Sequence, residues 1–273
     1  MATFKILFVY DMPPEHALHW RDGLYGALKE LEKEWEVEYI NIQTTNDWRI
    51  RIANSRDFVL GWGGTGSPHF FHVSTKLNRG GWCFGGGDIN NDKLDKFGIV
   101  FVENVAQLIK PHFSLAFGTN TSTFYEMSQP KIFDAIYPAA FANWKHQEKF
   151  ADICEREKLK GLAVGYKQVD NEEESIHLMN YCLIKGVAVM DWVPAKSLNY
   201  LYNMSREVII TADQFGGCER AILEAKACGV SVRVVSDSQK LLDLGKLTTQ
   251  EVQQNWNHFE YARKLKQGIE TIL

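Results

Sequence analysis

The sequence predicts an α/β protein built from two parallel-sheet domains, and three observations predict it. Short apolar runs alternate with helical stretches along the chain, the pattern of strands covered by helices on both faces of a sheet. The pattern restarts after Gln129-Pro130, which divides a first domain, residues 1–129, from a second, residues 130–273. In the second half the apolar run Val208-Ile209-Ile210 enters a glycine turn and then a helix, reading DQFGGCERAILEAKACG from Asp213 to Gly229.

The elements follow in order. Residues 5–10 form an apolar strand, Pro13-Pro14 opens a helix to about Glu34, and residues 37–42 form a second strand. Residues 58–62, 82–84, 99–102 and 114–117 are further short strands, with helical stretches between several of them. After the restart come a strand at 134–139, a helix at 146–158, and strands at 161–165, 187–191 and 208–211. A strand at 230–235 follows the glycine-turn helix, and residues 248–273 read as one or two terminal helices. No internal repeat or low-complexity segment interrupts the series.

Composition agrees with a soluble enzyme. The 273 residues are 45% apolar, ample for sizeable cores. Net charge is −4 and evenly spread, with 12 basic and 14 acidic groups in residues 1–125 and 18 and 20 in residues 126–273. No global basic field points to nucleic acid, which leaves only local patches. The five cysteines are odd in number and contain no CxxC pair, which favours reduced thiols in a cytoplasmic compartment over disulfides or a structural zinc. The chain opens on a strand-like FKILFVY and has no apolar run of membrane-spanning length, so neither a signal peptide nor a transmembrane segment is expected.

A turn between a buried strand and a helix offers backbone N–H groups and the positive helix end to an anion, typically a phosphate. Gly216, Gly217 and Cys218 form that turn. Glu224, one and a half helical turns further on, is suited to accept hydrogen bonds from ribose hydroxyls. The segment reads as a nucleotide grip, against the plainer reading of an amphipathic helix whose Ala225, Ala227 and Gly229 merely allow close packing.

Glu224-Ala225-Lys226-Ala227-Cys228-Gly229 resembles the donor-binding signature of GT-B glycosyltransferases of the large retaining class. The resemblance implies two facing Rossmann-like domains, with the C-terminal helix returning to the first, and a nucleotide-sugar donor, most often a UDP-sugar. Family members carry a glutamate eight residues before the one matched by Glu224; this chain has Gly216 there, and either Glu219 or Asp213 is left to supply the carboxylate. The family's diphosphate-gripping lysine is matched by Lys145, while Ala140 stands in place of the arginine. A mobile ammonium suits charge that builds on a departing diphosphate. Trp192 and Val193, after the strand at 187–191, match the segment that holds the base by main-chain groups. Lys145 and Glu224 are expected to face a solvated cleft. The family generally needs no bound metal, and none is expected here.

The acceptor is expected on the first domain. Asp88, at the end of Trp82-Cys83-Phe84-Gly85-Gly86-Gly87, is the carboxylate best placed to orient or deprotonate an acceptor hydroxyl. Asp11, His16 and His19, beyond the first strand, and His69 and His72 are further candidates, with Gly63 and Gly64 lining the cleft. In compact size and in FGGCERAILEA the chain also looks similar to small glycosyltransferases of T-even-like bacteriophages, which modify hydroxymethylcytosine in DNA. That resemblance implies a DNA partner in a host cytoplasm, with Arg49, Arg51 and Arg79, beside Arg56 and Lys76, as phosphate contacts. The same charges also read as a solvated face with ion pairs such as Asp47 to Arg51. Three competing functions remain: a transferase acting on cell-surface or small-molecule sugars, a non-catalytic nucleotide-sugar module, and an NAD-dependent oxidoreductase using Gly61-Trp62-Gly63-Gly64-Thr65-Gly66, which fits GxGxxG with Asp88 downstream.

Overall fold

The structure, a computed structural model, describes residues 4–12, 23–76, 79–85, 88–168, 171–214 and 216–273. The chain divides into two compact units, 1–118 with 258–273, and 119–257.

The first unit is a six-stranded, fully parallel sheet in the order β2-β1-β3-β4-β5-β6. Its strands are β1 (Lys5–Tyr10), β2 (Glu36–Asn41), β3 (Phe58–Gly63), β4 (Gly80–Phe84), β5 (Ile99–Val102) and β6 (Phe113–Leu115). They are apolar on both pleat faces because helices cover both. On one side Ile6, Phe8 and Leu60 pack with Leu24 and Leu28 of α1 (Leu24–Leu31) and Leu265 of α10 (His258–Glu270). On the other, Val9, Val59 and Val100 pack with Trp48 and Ile52 of α2 (Trp48–Asn54) and Phe70 and Val73 of α3 (Phe70–Ser74). The C-terminal helix thus returns to the first sheet as α10. Gly268 permits its close approach, since a Cβ there would lie 2.5 Å from Ile99 Cδ1 and 2.6 Å from Phe101 Cε1.

Of the helix expected from Pro13 to Glu34, residues 13–22 lie outside the described residues, and α1 begins at Leu24 after Gly23, which is left-handed at φ 84°. It ends at Leu31, and residues 32–34 turn into β2. The GxGxxG reading meets a different arrangement. Gly61 and Gly63 lie inside β3, which is not the first strand, and α3 is a five-residue helix. Gly61 exists for packing: a Cβ there would sit 2.3 Å from the Trp82 ring, and the Trp82 indole donates to Gly63 O at 3.0 Å.

His69 lies beside Trp82, fully buried, with Nε2 3.0 Å from Trp62 O. Burial pushes its pKa down to about 4, outweighing the opposing pull of that carbonyl and of Asp11. The unfolded chain, titrating near 6.5, therefore binds the proton the folded chain refuses. Stability is full above pH 6.5 and falls as the pH drops towards 4, by at most about 3 kcal/mol. In His69→Gln, which keeps a donor near Trp62 O and does not titrate, urea unfolding between pH 4 and 7 should lose this component. An unchanged pH slope would refute it.

The second unit is a five-stranded parallel sheet in the order β11-β10-β7-β8-β9. Its elements are β7 (Phe133–Pro138), α4 (Gln147–Glu157), β8 (Gly161–Val164), α5 (Glu172–Ile184), β9 (Ala188–Met190), α6 (Ala195–Asn203), β10 (Ser205–Ile210), α7 (Glu219–Ala227), β11 (Ser231–Val234), α8 (Gln239–Lys246) and α9 (Thr249–Asn255). The boundary at Gly118 falls before the Pro130 restart; residues 119–129 belong with this unit, where Asn203 Nδ2 donates to Tyr125 O at 3.0 Å and Met127 N donates to Asn203 Oδ1 at 2.6 Å. All five cysteines are free thiols.

Candidate functional site

In the second sheet the chain starts at the centre with β7, moves outward to β8 and β9, and returns on the other side with β10. The carboxyl ends of β7 and β10 therefore flank a topological switch point, where loops diverge and leave a crevice for ligands. Two sequence-predicted groups meet there. The loop after β7 carries Lys145, and the loop after β10 carries Gly216, Gly217 and Cys218.

Lys145 is positioned from beneath. The buried Tyr137, on β7, donates its hydroxyl to Lys145 O at 2.6 Å, and Thr211, just past β10, lies 3.1 Å from the same oxygen and 2.8 Å from His146 O. Burial pushes the Tyr137 phenol well above its usual range, so it stays a donor. His146 follows in the left-handed region at φ 54°, an uncommon conformation for a residue with a Cβ. The Lys145 ammonium then reaches Gly216 O and lies 3.6 Å from Cys218 Sγ.

The facing turn is equally constrained. Gly216 leaves no room for a side chain, since a Cβ would lie 2.4 Å from Trp144 O and 2.7 Å from Ala212 Cβ. Gly217 and Cys218 are both left-handed, at φ 65° and 85°, and α7 begins with no side-chain cap on its first turn. This is the local geometry by which a helix start receives an anion. Neither carboxylate considered for the displaced glutamate stands alone. Glu219, 3% exposed, is ion-paired with Lys240 at 2.5 Å, and Asp213 Oδ2 lies 3.4 Å from His146 Nε2, whose ring also faces Glu148 Oε1 at 3.1 Å.

Glu224 corrects an expectation. It retains only 3% exposure and accepts a hydrogen bond of 2.8 Å from Tyr202, so it is a buried, engaged group and not part of a solvated wall. Lys145 is half-buried. Trp192 and Val193, both half-buried, follow β9 at the same carboxyl edge, where Trp192 N bonds Asp191 Oδ1 at 2.7 Å and Pro194 precedes α6. The supporting roles of Tyr137, Thr211, Tyr202 and Lys240 escaped the sequence reading because they are tertiary and no local motif marks them.

The first unit has its own switch point, between β1 and β3. The register Tyr10 to Trp62 brings Asp11 beside Gly63, and Asp11 Oδ1 accepts from Gln43 Nε2 at 2.8 Å. Gly63, at φ 148°, and Gly64 follow on the same edge. Asp88 is exposed past β4 and closes a local turn by accepting Asn90 N at 2.9 Å. His16 and His19 lie outside the described residues. The arginines do not join these groups. Arg51 pairs with Glu38 and not with Asp47, Arg49 lies over the Trp48 ring at 5.0 Å, and Arg79, at the amino end of β4, donates to Arg56 O at 2.6 Å. Among the described residues no group of three or more His, Cys, Asp or Glu side chains is placed to hold a metal ion, and no helix is long and apolar enough to cross a membrane.

No protein-family model matches the sequence, and no curated protein matches it. Solved structures do match the fold. HepE of Anabaena in complex with UDP and glucose superposes with a TM-score of 0.67 at 12% identity, covering 98% of this chain and 100% of that one. AviGT4, a glycosyltransferase involved in avilamycin A biosynthesis, gives 0.69 at 12% identity, covering 98% of each chain. The chain has the GT-B fold. The UDP-GlcNAc 2-epimerase of Neisseria meningitidis bound to UDP-GlcNAc also matches, at 0.59 and 10% identity over 98% of each chain. A GT-B chain can therefore belong to an enzyme that is not a transferase, and the activity has to be argued from the site.

Proposed function

We propose that the protein is a glycosyltransferase that moves a sugar from a nucleotide sugar, a UDP-sugar foremost, to an acceptor hydroxyl with retention of anomeric configuration. One observation carries the proposal: Lys145 and the Gly216–Cys218 turn converge at the β7/β10 switch point, with Glu224 deeper in the helix that the turn begins. The turn and Lys145 receive the diphosphate, Glu224 receives the ribose, and main-chain groups around Trp192 and Val193 receive the base. The bond that breaks joins the anomeric carbon to the diphosphate oxygen; the bond that forms joins that carbon to the acceptor oxygen, whose proton passes to an acceptor-side carboxylate such as Asp88. Negative charge accumulates on the departing diphosphate, where Lys145 and the helix start oppose it. Asp11 and Asp88 are the acceptor-side carboxylates of this reading, with Glu219 a third catalytic candidate.

For the acceptor, hydroxymethylcytosine or its glucosylated form in DNA is the first class to test. Salt-dependent phosphate contacts by Arg49, Arg51 and Arg79 are what it requires. The engagement of Arg51 by Glu38 and of Arg79 by a backbone carbonyl weakens that reading and leaves a cell-surface or small-molecule sugar as the alternative acceptor. The test is incubation with UDP-glucose, UDP-GlcNAc, GDP-mannose or NAD, with and without modified DNA and small glycosides, read by mass spectrometry and by the anomeric coupling of the product. UDP release with added hexose mass and unchanged anomeric configuration is expected. An epimerised sugar without transfer, or stabilisation by NAD alone, would sink the proposal.

A further inference from the structure

We infer that Tyr202 is a positioning residue for the ribose-binding carboxylate, so that the site's preference for a ribonucleotide rests on a buried tyrosine that touches no substrate. The inference rests on the proposed role of Glu224.

A carboxylate can discriminate a ribose only if its own orientation is fixed, because an amide or acid that rotates loses directional hydrogen bonding. Glu224 is 3% exposed, and Tyr202, with no exposed surface, donates to one of its oxygens, Oε2, at 2.8 Å. Ala221 O, a second acceptor near the same hydroxyl, is further away at 3.4 Å. The shorter bond, to the carboxyl of Glu224, takes the hydroxyl proton.

Tyr202 is itself immobile. Phe124 packs edge-on against its ring, with centroids 5.9 Å apart. Its helix, α6, is pinned to residues 125–127 by side-chain amides on either side of the tyrosine: Tyr125 N donates to Asn199 Oδ1 at 3.2 Å, and Asn203 exchanges bonds with Tyr125 O at 3.0 Å and Met127 N at 2.6 Å. The same helix begins at Ala195, directly after the Trp192-Val193-Pro194 segment assigned to the base. One rigid element therefore follows the base wall and fixes the ribose carboxylate, an arrangement in which nucleoside recognition is set before the ligand arrives.

Tyr202→Phe keeps the ring and removes only the hydroxyl. Calorimetric titration should show UDP binding weakened about fivefold to tenfold, the size expected for losing orientation of one hydrogen-bonded group. Binding of 2′,3′-dideoxyuridine diphosphate, which has no hydroxyl for Glu224 to hold, should change less than twofold. In a Glu224→Gln background the same substitution should add nothing, because Tyr202 acts only through that carboxylate. Equal weakening of both ligands would reduce Tyr202 to a packing role and overturn the inference, as would a further loss in the Gln background. If Glu224→Gln itself weakens both ligands alike, the ribose reading falls; if it weakens UDP selectively while Tyr202→Phe does not, the reading stands and only the role of Tyr202 is lost.

Discussion

Lys145→Ala should lower the rate of sugar transfer by about a hundredfold to a thousandfold, the cost of removing a preorganised group that meets charge developing in the transition state. The loss should fall mainly on kcat. In the proposed site, ground-state UDP-sugar already carries its diphosphate charge and also meets the α7 start, whereas the additional charge of bond breaking is what the ammonium answers. Melting should change little, since Lys145 is half-buried and its carbonyl, held by Tyr137 and Thr211, is kept in the variant, while only the ammonium's bond to Gly216 O is lost. Steady-state kinetics with UDP release as the readout decides the point. A wild-type kcat in a variant that still binds UDP would remove Lys145 from the chemistry.

The same residues show what a sequence can and cannot disclose. The strands were legible because parallel strands covered on both faces are continuous apolar runs, as in Ile6 to Val9 and Val208 to Ile210, all of them buried. Helix limits were less so: the helix read to Glu34 stops at Leu31, where apolar spacing ends before the run of charge does. The turn Gly216–Cys218 was legible through Gly217, whose left-handed φ of 65° is a local, conformational cause for glycine, whereas Gly216 is required by Trp144 O from the neighbouring loop. Gly61 and Gly63 misled for a related reason. Their pattern imitates a phosphate loop, yet the cause of Gly61 is the Trp82 ring, more than twenty residues away in the chain, which no local pattern announces. The groups that hold the candidate site in shape belong to this second kind. Tyr137, Thr211 and Tyr202 act across the sheet or between helices, and ordinary core residues look the same in sequence.

Glu224→Ala should show two separable losses, and the contrast with Glu224→Gln separates them. Donor affinity should fall tenfold or more in both, since each loses a charged acceptor for the ribose, worth about 1.5–3 kcal/mol. Stability should fall chiefly in the alanine variant. With Glu224 gone, the Tyr202 hydroxyl loses its 2.8 Å acceptor, and its bond to Ala221 O is longer, at 3.4 Å, where Tyr202 has no exposed surface. A buried donor left poorly satisfied costs about 1–3 kcal/mol, which in a chain of this size lowers Tm by several degrees. Glutamine retains an oxygen where Oε2 now stands, so it should recover most of the Tm while leaving affinity low. UDP titration and thermal melts of the two variants give four numbers for this comparison. Undiminished UDP affinity in the alanine variant would take the ribose from Glu224, and an unchanged Tm would mean that the Tyr202 bond contributes nothing to holding the second unit together.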